Sequence, residues 1–481
     1  MNVLTRYIQR QLFIGENSMR RRAADSAGHP YSTRTMTVLL QKYARDFLEH
    51  GPESKRWVVI PGLRGVGKTT ITAQTYLWIL NQVGLRVNLL YISLDEVVEK
   101  LGSNLSDVLD EYQTLLGYDF ETTKKPTFIF IDEVQSDPNW ARTIKFLFDR
   151  TSNVFFLCTG SSAVHLQMDA DVDGRRAVTE KLYPLSFPEY QVLANDVLPP
   201  KGMKNALIQK LYYSKSATEV YKSLKTYQTI VNQQWARYDR NSITTYLTKG
   251  TMPFTLKERD ERMVYGALKA SVDKVVTLDL QSLSHFNSDS IAAIKRLLFI
   301  LADCNDYITL DNMSKWIGAS KPQVINMLDA LTKAELLIKV PAYGNNMTQT
   351  RNPARYHFMS PAIRAAYHDI VGNPETEASR RGLLLEDAVV LQFYREFMSR
   401  QRGALTYYHD KEGGQCDFIL RVGNDHQISI ELGLGHKGTK QVETTMAKVE
   451  CAYGIVFADV PLTLHEEKNI ITVPLDFLFL M

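Results

Sequence analysis

The chain has little cysteine, no long apolar run and no low-complexity tract. Only four of its 481 residues are cysteine and none forms a Cys-x-x-Cys pair, which excludes a disulfide scaffold and gives no sign of a zinc or redox motif. No stretch approaches about 18 consecutive apolar residues, so we expect no transmembrane helix and no membrane partner. The first residues lack the apolar segment of a secretory signal. These absences predict a cytoplasmic protein with reduced thiols.

The composition is that of an ordinary folded protein, with 44% hydrophobic and 23% charged residues. At roughly 100–200 residues per domain, the length predicts about three domains. The net charge of +3 is too small to indicate a nucleic-acid partner by itself. Two segments are locally basic: residues 1–56 hold 10 Lys and Arg against 5 Asp and Glu, and residues 201–277 hold 14 against 6. A solvated helix face is the simpler explanation of either segment alone.

Between residues 57 and 190, short apolar segments alternate with helical periodicity. The segments 57–60, 87–92, 127–131 and 154–158 are rich in β-branched and aromatic residues and predict strands. Alternation of this kind is typical of βαβ units, so we expect a parallel sheet with helices around it.

A glycine-rich loop follows the first of these strands and matches the pattern Gly-x-x-x-x-Gly-Lys-Thr. Its glycines let backbone N–H groups wrap around anionic oxygens, and the helix that follows adds a favourable dipole. Lys68 is expected to neutralise the β- and γ-phosphates of ATP, and the Thr69 hydroxyl to ligate Mg²⁺. The predicted nucleotide-binding residues are Gly62, Leu63, Arg64, Gly65, Val66, Gly67, Lys68, Thr69 and Thr70.

The strand at 127–131 ends in two adjacent acids, Asp132 and Glu133. In an open parallel sheet this end lies beside the phosphate loop. Asp132 suits Mg²⁺ through a coordinated water, and Glu133 suits the role of general base toward the attacking water. After the next strand, Thr159 or Ser161 could orient that water, although a helix cap is an equally good explanation of these residues.

Two further candidates are Arg175 and Arg176. An arginine that one subunit presents to the nucleotide of its neighbour acts as an arginine finger. A plain surface role is the alternative.

These motifs resemble those of prokaryotic AAA-type P-loop ATPases. The resemblance lies in residues 62–70, 131–135 with Trp140, 159–162 and 184–190. Gly65 departs from the family, which often has a second Arg or Lys there. The resemblance implies an α/β fold: a P-loop parallel-sheet ATPase core with a helical lid, a winged helix and a C-terminal restriction-endonuclease-like α/β domain. The implied segments are a basic N-terminal arm (1–32), the core (33–200), the lid (201–285), the winged helix (286–377) and the C-terminal domain (378–481).

The middle of the chain leaves two interpretations open. In the lid, tyrosines alternate with basic residues, which suits either a nucleic-acid surface or, more simply, helices packed through their tyrosines. In the winged helix, Ser320 begins a helix that exposes Lys321 and Lys333, and segments 337–340 and 356–359 predict the wing strands. Such a module binds duplex DNA or contacts protein.

By resemblance, Glu386, Asp417 and Glu431 occupy the metal positions of an endonuclease-like core. The usual lysine position is Gly433, which has no side chain to offer. Lys437 or Lys440 could move in, but lysines are common nearby, so we expect a degenerate domain that binds and does not cleave.

The sequence thus predicts an Mg²⁺-dependent ATPase whose hydrolysis rearranges a DNA-binding assembly. An arginine finger from a neighbouring subunit would make it a homo-oligomer. A mobile element and an antiviral defence system are two settings that fit, and the sequence does not choose between them. One alternative is a slow ATP-dependent switch that recruits a protein partner through the C-terminal domain. The other is an ATP-gated, metal-dependent DNA nuclease.

Overall fold

The structure, a computed structural model, is described for residues 2–160, 175–239, 241–280, 286–303, 308–368, 377–408 and 414–481. The chain divides into two compact units, Met1–Tyr183 and Pro184–Met481. Among the residues described, no helix combines the length and apolar character needed to cross a membrane.

The first unit contains a five-stranded, all-parallel sheet with the order β2-β3-β4-β1-β5. All residues of β1, β3 and β4 are buried because helices cover both faces of the sheet. The four strands expected from the sequence are therefore confirmed, and the sheet matches a P-loop ATPase core. The strands are β1 Trp57–Pro61, β2 Asn88–Ser93, β3 Thr127–Asp132, β4 Val154–Gly160 and β5 Val178–Thr179.

The N-terminal segment differs from the basic arm that the sequence suggested. Residues 3–22 form a regular helix, α1, that packs on α3, α5 and β2. Leu4, Ile8 and Met19 lie on its buried side, and its arginines lie mostly on the other. The helices of this unit are α1 Val3–Arg22, α2 Thr35–His50, α3 Lys68–Val83, α4 Leu94–Leu101, α5 Leu105–Leu116 and α6 Trp140–Arg150.

The first part of the second unit is helical, and three of its tyrosines serve as core residues. Tyr212, Tyr238 and Tyr246 are buried. The Tyr246 ring lies 5.4 Å from that of Phe187, edge to face. This packing accounts for these three buried tyrosines without a nucleic-acid surface, whereas Tyr213 is 43% exposed. The helices are α7 Phe187–Asn195, α8 Met203–Tyr212, α9 Ala217–Trp235, α10 Ser242–Thr245, α11 Glu261–Lys274 and α12 Ser288–Asp303.

Two helices and an antiparallel hairpin follow. The apolar face of the second helix is buried as its spacing predicts, and the Gln323 side chain caps it by accepting from the Ser320 N–H at 2.8 Å. A one-and-a-half-turn helix stands between the two hairpin strands. The elements are α13 Leu310–Ile317, α14 Lys321–Lys333, β6 Leu337–Val340, α15 Asn346–Arg351, β7 Arg355–Phe358 and α16 Pro361–His368.

The last part of the chain forms a mixed six-stranded sheet with the order β12-β13-β11-β10-β9-β8. Strands β8, β9 and β10 are an antiparallel meander, and β11 is parallel to β10 after a helical crossover. Along the chain, this part begins with a helix, three strands, a helix and a strand, and it ends with two further strands and a short helix. The elements are α17 Glu377–Phe393, β8 Gly403–Thr406, β9 Phe418–Val422, β10 His426–Leu432, α18 Lys440–Met446, β11 Tyr453–Ala458, β12 Thr463–His465, β13 Ile470–Pro474 and α19 Leu475–Phe479.

Candidate functional site

The predicted phosphate loop lies between the carboxyl end of β1 and the first turn of α3. Gly65 and Gly67 have φ angles of 83° and 95°, which side chains other than glycine rarely adopt. At Gly62 a Cβ would collide with the carbonyl oxygen of Leu182. The loop therefore needs its glycines, and it brings its backbone to the N-terminus of α3, where unpaired N–H groups favour an anion.

Lys68 is the first residue of α3 and is buried. Its Nζ donates to the carbonyl oxygens of Gly62 at 2.8 Å and Leu63 at 3.1 Å. The ammonium group is thus held over the loop by acceptors that a triphosphate would replace. This is the position that the sequence predicted for the phosphate-neutralising lysine.

Thr69 and Asp132 come together although 63 residues separate them. The Thr69 hydroxyl donates to Oδ2 of Asp132 at 2.8 Å, and Asp132 is buried at the end of β3. A hydroxyl and a carboxylate are hard oxygen ligands, so this pair fits Mg²⁺. When bound, Mg²⁺ would neutralise phosphate charge at this edge of the sheet.

Glu133 has an unusual backbone conformation. Its φ of 54° lies in the left-handed region, which costs a non-glycine residue on the order of 1–3 kcal/mol. Gln135 donates its side-chain amide to the Glu133 carboxylate. A strained acid directly after the buried Asp132 is consistent with the predicted general base.

Thr159 and Ser161 were the two residues proposed to orient the attacking water. Thr159 contacts Asp132. Its hydroxyl donates to Oδ1 of Asp132, so it fixes the carboxylate from the neighbouring strand β4. Ser161 lies outside the described residues.

The two arginine-finger candidates differ in their surroundings. Arg175 is exposed. The guanidinium of Arg176 pairs with the carboxylate of Asp149 on α6, with Nε 2.7 Å from Oδ1. Arg176 could reach a neighbouring nucleotide only by giving up this pair, so Arg175 is the better candidate.

Sequence reasoning missed two residues that support the site. The Tyr91 hydroxyl donates to Oδ2 of Asp132 at 3.0 Å, and the Arg22 guanidinium lies 4.4 Å from the Tyr91 ring centre. Burial raises the pKa of Tyr91, so it remains a donor. Arg34 donates to the carbonyl oxygen of Val66 at 2.7 Å and so braces the phosphate loop. A tyrosine within an otherwise apolar strand was the available signal for Tyr91.

Replacing Tyr91 tests its effect on the metal position. Tyr91→Phe removes one of the donors that fix Asp132, so we expect the Mg²⁺ concentration for half-maximal ATP hydrolysis to rise about 3- to 10-fold, since a hydrogen bond to a charged group contributes about 1.5 kcal/mol or less where other donors remain. Tyr112→Phe, at a buried tyrosine elsewhere in the unit, is the matched control. An unchanged Mg²⁺ dependence in Tyr91→Phe would remove Tyr91 from the site.

The second unit places the three predicted C-terminal acids around the start of β9 and the end of β10. The Leu432 N–H donates to Oδ2 of Asp417 at 2.7 Å, and Glu431 is fully buried on β10. Burial and the charge of Asp417 raise the pKa of Glu386 and of Glu431, and burial raises that of Asp417. Buried acids that lie near one another are common at cation sites.

Another acidic group occurs on α2. Ligand atoms of Asp46, Glu49 and His50 all lie within 4.8 Å of one another. This closeness follows from helical spacing on an accessible face. The carboxylate oxygens of the three C-terminal acids do not all lie within 4.8 Å of one another.

The comparison with known families agrees with the geometry of the first site. Residues 54–191 match the family model of an AAA domain. The match covers β1, the phosphate loop and the strand carrying Asp132. Residues 54–191 are thus similar to an AAA domain, and the parallel sheet and the Thr69–Asp132 contact lie within this segment.

Relatives match over most of the chain. An uncharacterised protein of Methanocaldococcus jannaschii, MJ1637, is 29% identical over 441 residues, which is 91% of this chain and 86% of the relative. An uncharacterised protein of Haemophilus influenzae is 29% identical over 389 residues, 78% of this chain and 82% of its own length.

Solved structures are less similar. The Walker-type ATPase PABY2304 of Pyrococcus abyssi is 13% identical, with a TM-score of 0.38 over 70% of this chain and 98% of its own. The ORC1 protein of Aeropyrum pernix, solved in complex with DNA, is 12% identical, with a TM-score of 0.33 over 69% of this chain and 91% of its own. Scores below 0.5 are too low to argue a shared arrangement of domains.

Proposed function

We propose that this chain is an Mg²⁺-dependent ATPase that couples ATP binding and hydrolysis to the rearrangement of a DNA-binding assembly. The observation that carries the ATPase is the 2.8 Å contact between Thr69 and Asp132. It joins the phosphate loop to the acidic end of β3, the two parts that ATP hydrolysis requires.

Each residue of the site has a part in the reaction. The loop amides and Lys68 bind and orient the triphosphate. Thr69 and Asp132 would hold Mg²⁺, with Tyr91 and Thr159 keeping the Asp132 carboxylate in place. Glu133 takes a proton from the attacking water, whose oxygen forms a bond to the γ-phosphorus. The bond from the γ-phosphorus to the bridging oxygen breaks, and the products are ADP and inorganic phosphate.

A DNA partner is the further part of the proposal. It is supported by the helix, helix and hairpin order of residues 310–358, which suits a winged helix, and by the order of the C-terminal elements, which suits an endonuclease-like core. Exposed residues of this module include Gln323 and Arg351. Arg355, the first residue of β7, stacks over the ring of Tyr407 at 4.5 Å.

One observation favours a protein partner as the second candidate. The lysines of α14 are both paired with acids, Lys321 with Asp311 at 2.6 Å and Lys333 with Asp329 at 2.8 Å. Trp316 is 55% exposed close by in the sequence. A neutralised helix beside an exposed tryptophan suits a protein surface better than a phosphate backbone.

Stimulation of hydrolysis by DNA separates the two candidates. We expect duplex DNA to raise the ATP turnover of the full chain at least about 3-fold at low salt, and the stimulation to weaken as salt displaces the contacts. Gln323→Glu combined with Arg351→Glu should abolish the stimulation and leave basal turnover unchanged, whereas Lys55→Glu, at an exposed lysine of the first unit, should preserve both. An ATP turnover rate that neither duplex nor single-stranded DNA changes at any salt concentration would favour the protein-recruiting switch.

A further inference from the structure

The C-terminal acids meet a lysine that the motif spacing did not assign to them. Lys437 lies in the loop after β10, and its Nζ is 2.6 Å from Oε1 of Glu431. The other oxygen of the same carboxylate, Oε2, is buried and has no hydrogen-bond partner. One carboxylate oxygen of Glu431 is therefore paired with Lys437, and the other is an acceptor without a hydrogen-bond partner.

The route that Lys437 takes explains the glycine at position 433. Side chains two residues apart on a strand project from the same face, so a side chain at 433 would lie beside Glu431. That space is filled by the stem of Lys437: a Cβ on Gly433 would collide with Cγ of Lys437 and would lie 3.2 Å from its Cε. The lysine four residues later thus replaces the side chain that the strand lacks.

The charges around this lysine leave room for a divalent cation. Glu386, Asp417 and Glu431 bring three carboxyl groups, and Lys437 supplies one positive charge. Arg355 and Arg364 are also nearby. Arg355 donates to the backbone carbonyl oxygen of Asp417 at 3.4 Å and stacks on a tyrosine ring, and Arg364 is paired with Asp387 at 2.6 Å. The unpartnered Glu431 oxygen and the other two acids are hard oxygen ligands that suit Mg²⁺ or Mn²⁺.

We propose that Lys437 completes a metal-dependent phosphodiesterase site with Glu386, Asp417 and Glu431, and that the domain is active because the lysine has moved from position 433 to position 437. The three acids would hold the cation, which supplies Lewis-acid stabilisation of the phosphate when bound. Lys437 positions the attacking water and stabilises charge on the phosphate.

The reaction is hydrolysis of a DNA phosphodiester and needs no oxidant or reductant. The oxygen of water forms a new bond to phosphorus, and the bond from phosphorus to the leaving sugar oxygen breaks. One proton leaves the water and the leaving oxygen gains one, so the products are a phosphomonoester and a hydroxyl end.

Metal binding is tested without relying on activity. Titration of Mn²⁺ into nucleotide-free full chain, followed by the electron paramagnetic resonance of free Mn²⁺, should reveal a site that Glu431→Gln weakens at least about 10-fold. Lys437→Ala should retain this site, because the lysine is not a ligand. Mn²⁺ uptake that is the same in the wild type and Glu431→Gln would overturn the proposed site.

Cleavage tests the lysine. The full chain with Mn²⁺ or Mg²⁺, with and without ATP, should nick supercoiled plasmid, and Lys437→Ala should lower the rate at least about 100-fold, while Lys440→Ala, at the neighbouring exposed lysine, should not. The double variant Gly433→Lys with Lys437→Ala returns the lysine to the strand and should recover part of the rate.

A wild type that binds Mn²⁺ but never nicks DNA, or a Lys437→Ala variant that nicks normally, would overturn the catalytic assignment. Glu133→Gln should still bind Mn²⁺ in the second unit, so failure of this inference and failure of the ATPase are distinguishable.

Discussion

Lys68→Ala should abolish productive ATP binding. The wild-type ammonium group sits over the loop on the carbonyl oxygens of Gly62 and Leu63, in place to meet the β- and γ-phosphates. Removing one partner of a buried charged pair costs about 2–5 kcal/mol, so ATP affinity should fall at least about 30-fold. Calorimetric titration of ATP with Mg²⁺ measures the loss, and hydrolysis should fall with it.

A matched lysine shows that the effect belongs to the site. Lys55 is exposed in the same unit, so Lys55→Ala should bind ATP as the wild type does. The thermal midpoint of Lys68→Ala without nucleotide should stay near that of the wild type. Wild-type ATP affinity in a folded Lys68→Ala variant would contradict the assignment of the loop.

Glu133→Gln should separate binding from turnover. The amide keeps the size of the side chain and leaves the phosphate loop and Asp132 untouched, but it cannot accept a proton from water. General-base catalysis contributes about 10²–10⁴-fold, so ATP turnover should fall by at least about 100-fold while ATP affinity changes less than about 3-fold. Single-turnover hydrolysis and equilibrium binding on the same preparation measure the two effects.

The control for this variant is Glu99→Gln, at an exposed acid of α4, which should hydrolyse ATP normally. If Glu133→Gln also hydrolyses ATP normally, another group activates the water and the role of Glu133 is wrong. Loss of both ATP binding and turnover would instead indicate that Glu133 maintains the structure of the site.

The parallel sheet and the phosphate loop were predictable because their signals are local. The phosphate loop is a continuous pattern, and β1, β3 and β4 are short apolar segments that are buried along their whole length. The end of β3 then places Asp132 beside the loop by topology alone. The hairpin strands at 337–340 and 355–358 were likewise predictable, since two short apolar segments flank a polar stretch.

What escaped prediction depends on contacts between distant residues. Tyr91 and Thr159 donate hydrogen bonds to Asp132 from two different strands. No sequence spacing predicts these two contacts. Helix α1 was missed because its buried residues are few among many polar ones, so only packing on the core reveals its apolar side. The path of Lys437 over Gly433 depends on a loop conformation that residue types alone do not fix.

The central claim is that residues 62–69 and Asp132 form a site for ATP with Mg²⁺. Titration of the purified full chain with a non-hydrolysable ATP analogue, in calorimetry with and without Mg²⁺, tests it directly. The account predicts saturable binding of one nucleotide per chain, tighter with Mg²⁺ than without it. A folded chain that takes up no analogue at millimolar concentration in the presence of Mg²⁺ would contradict it.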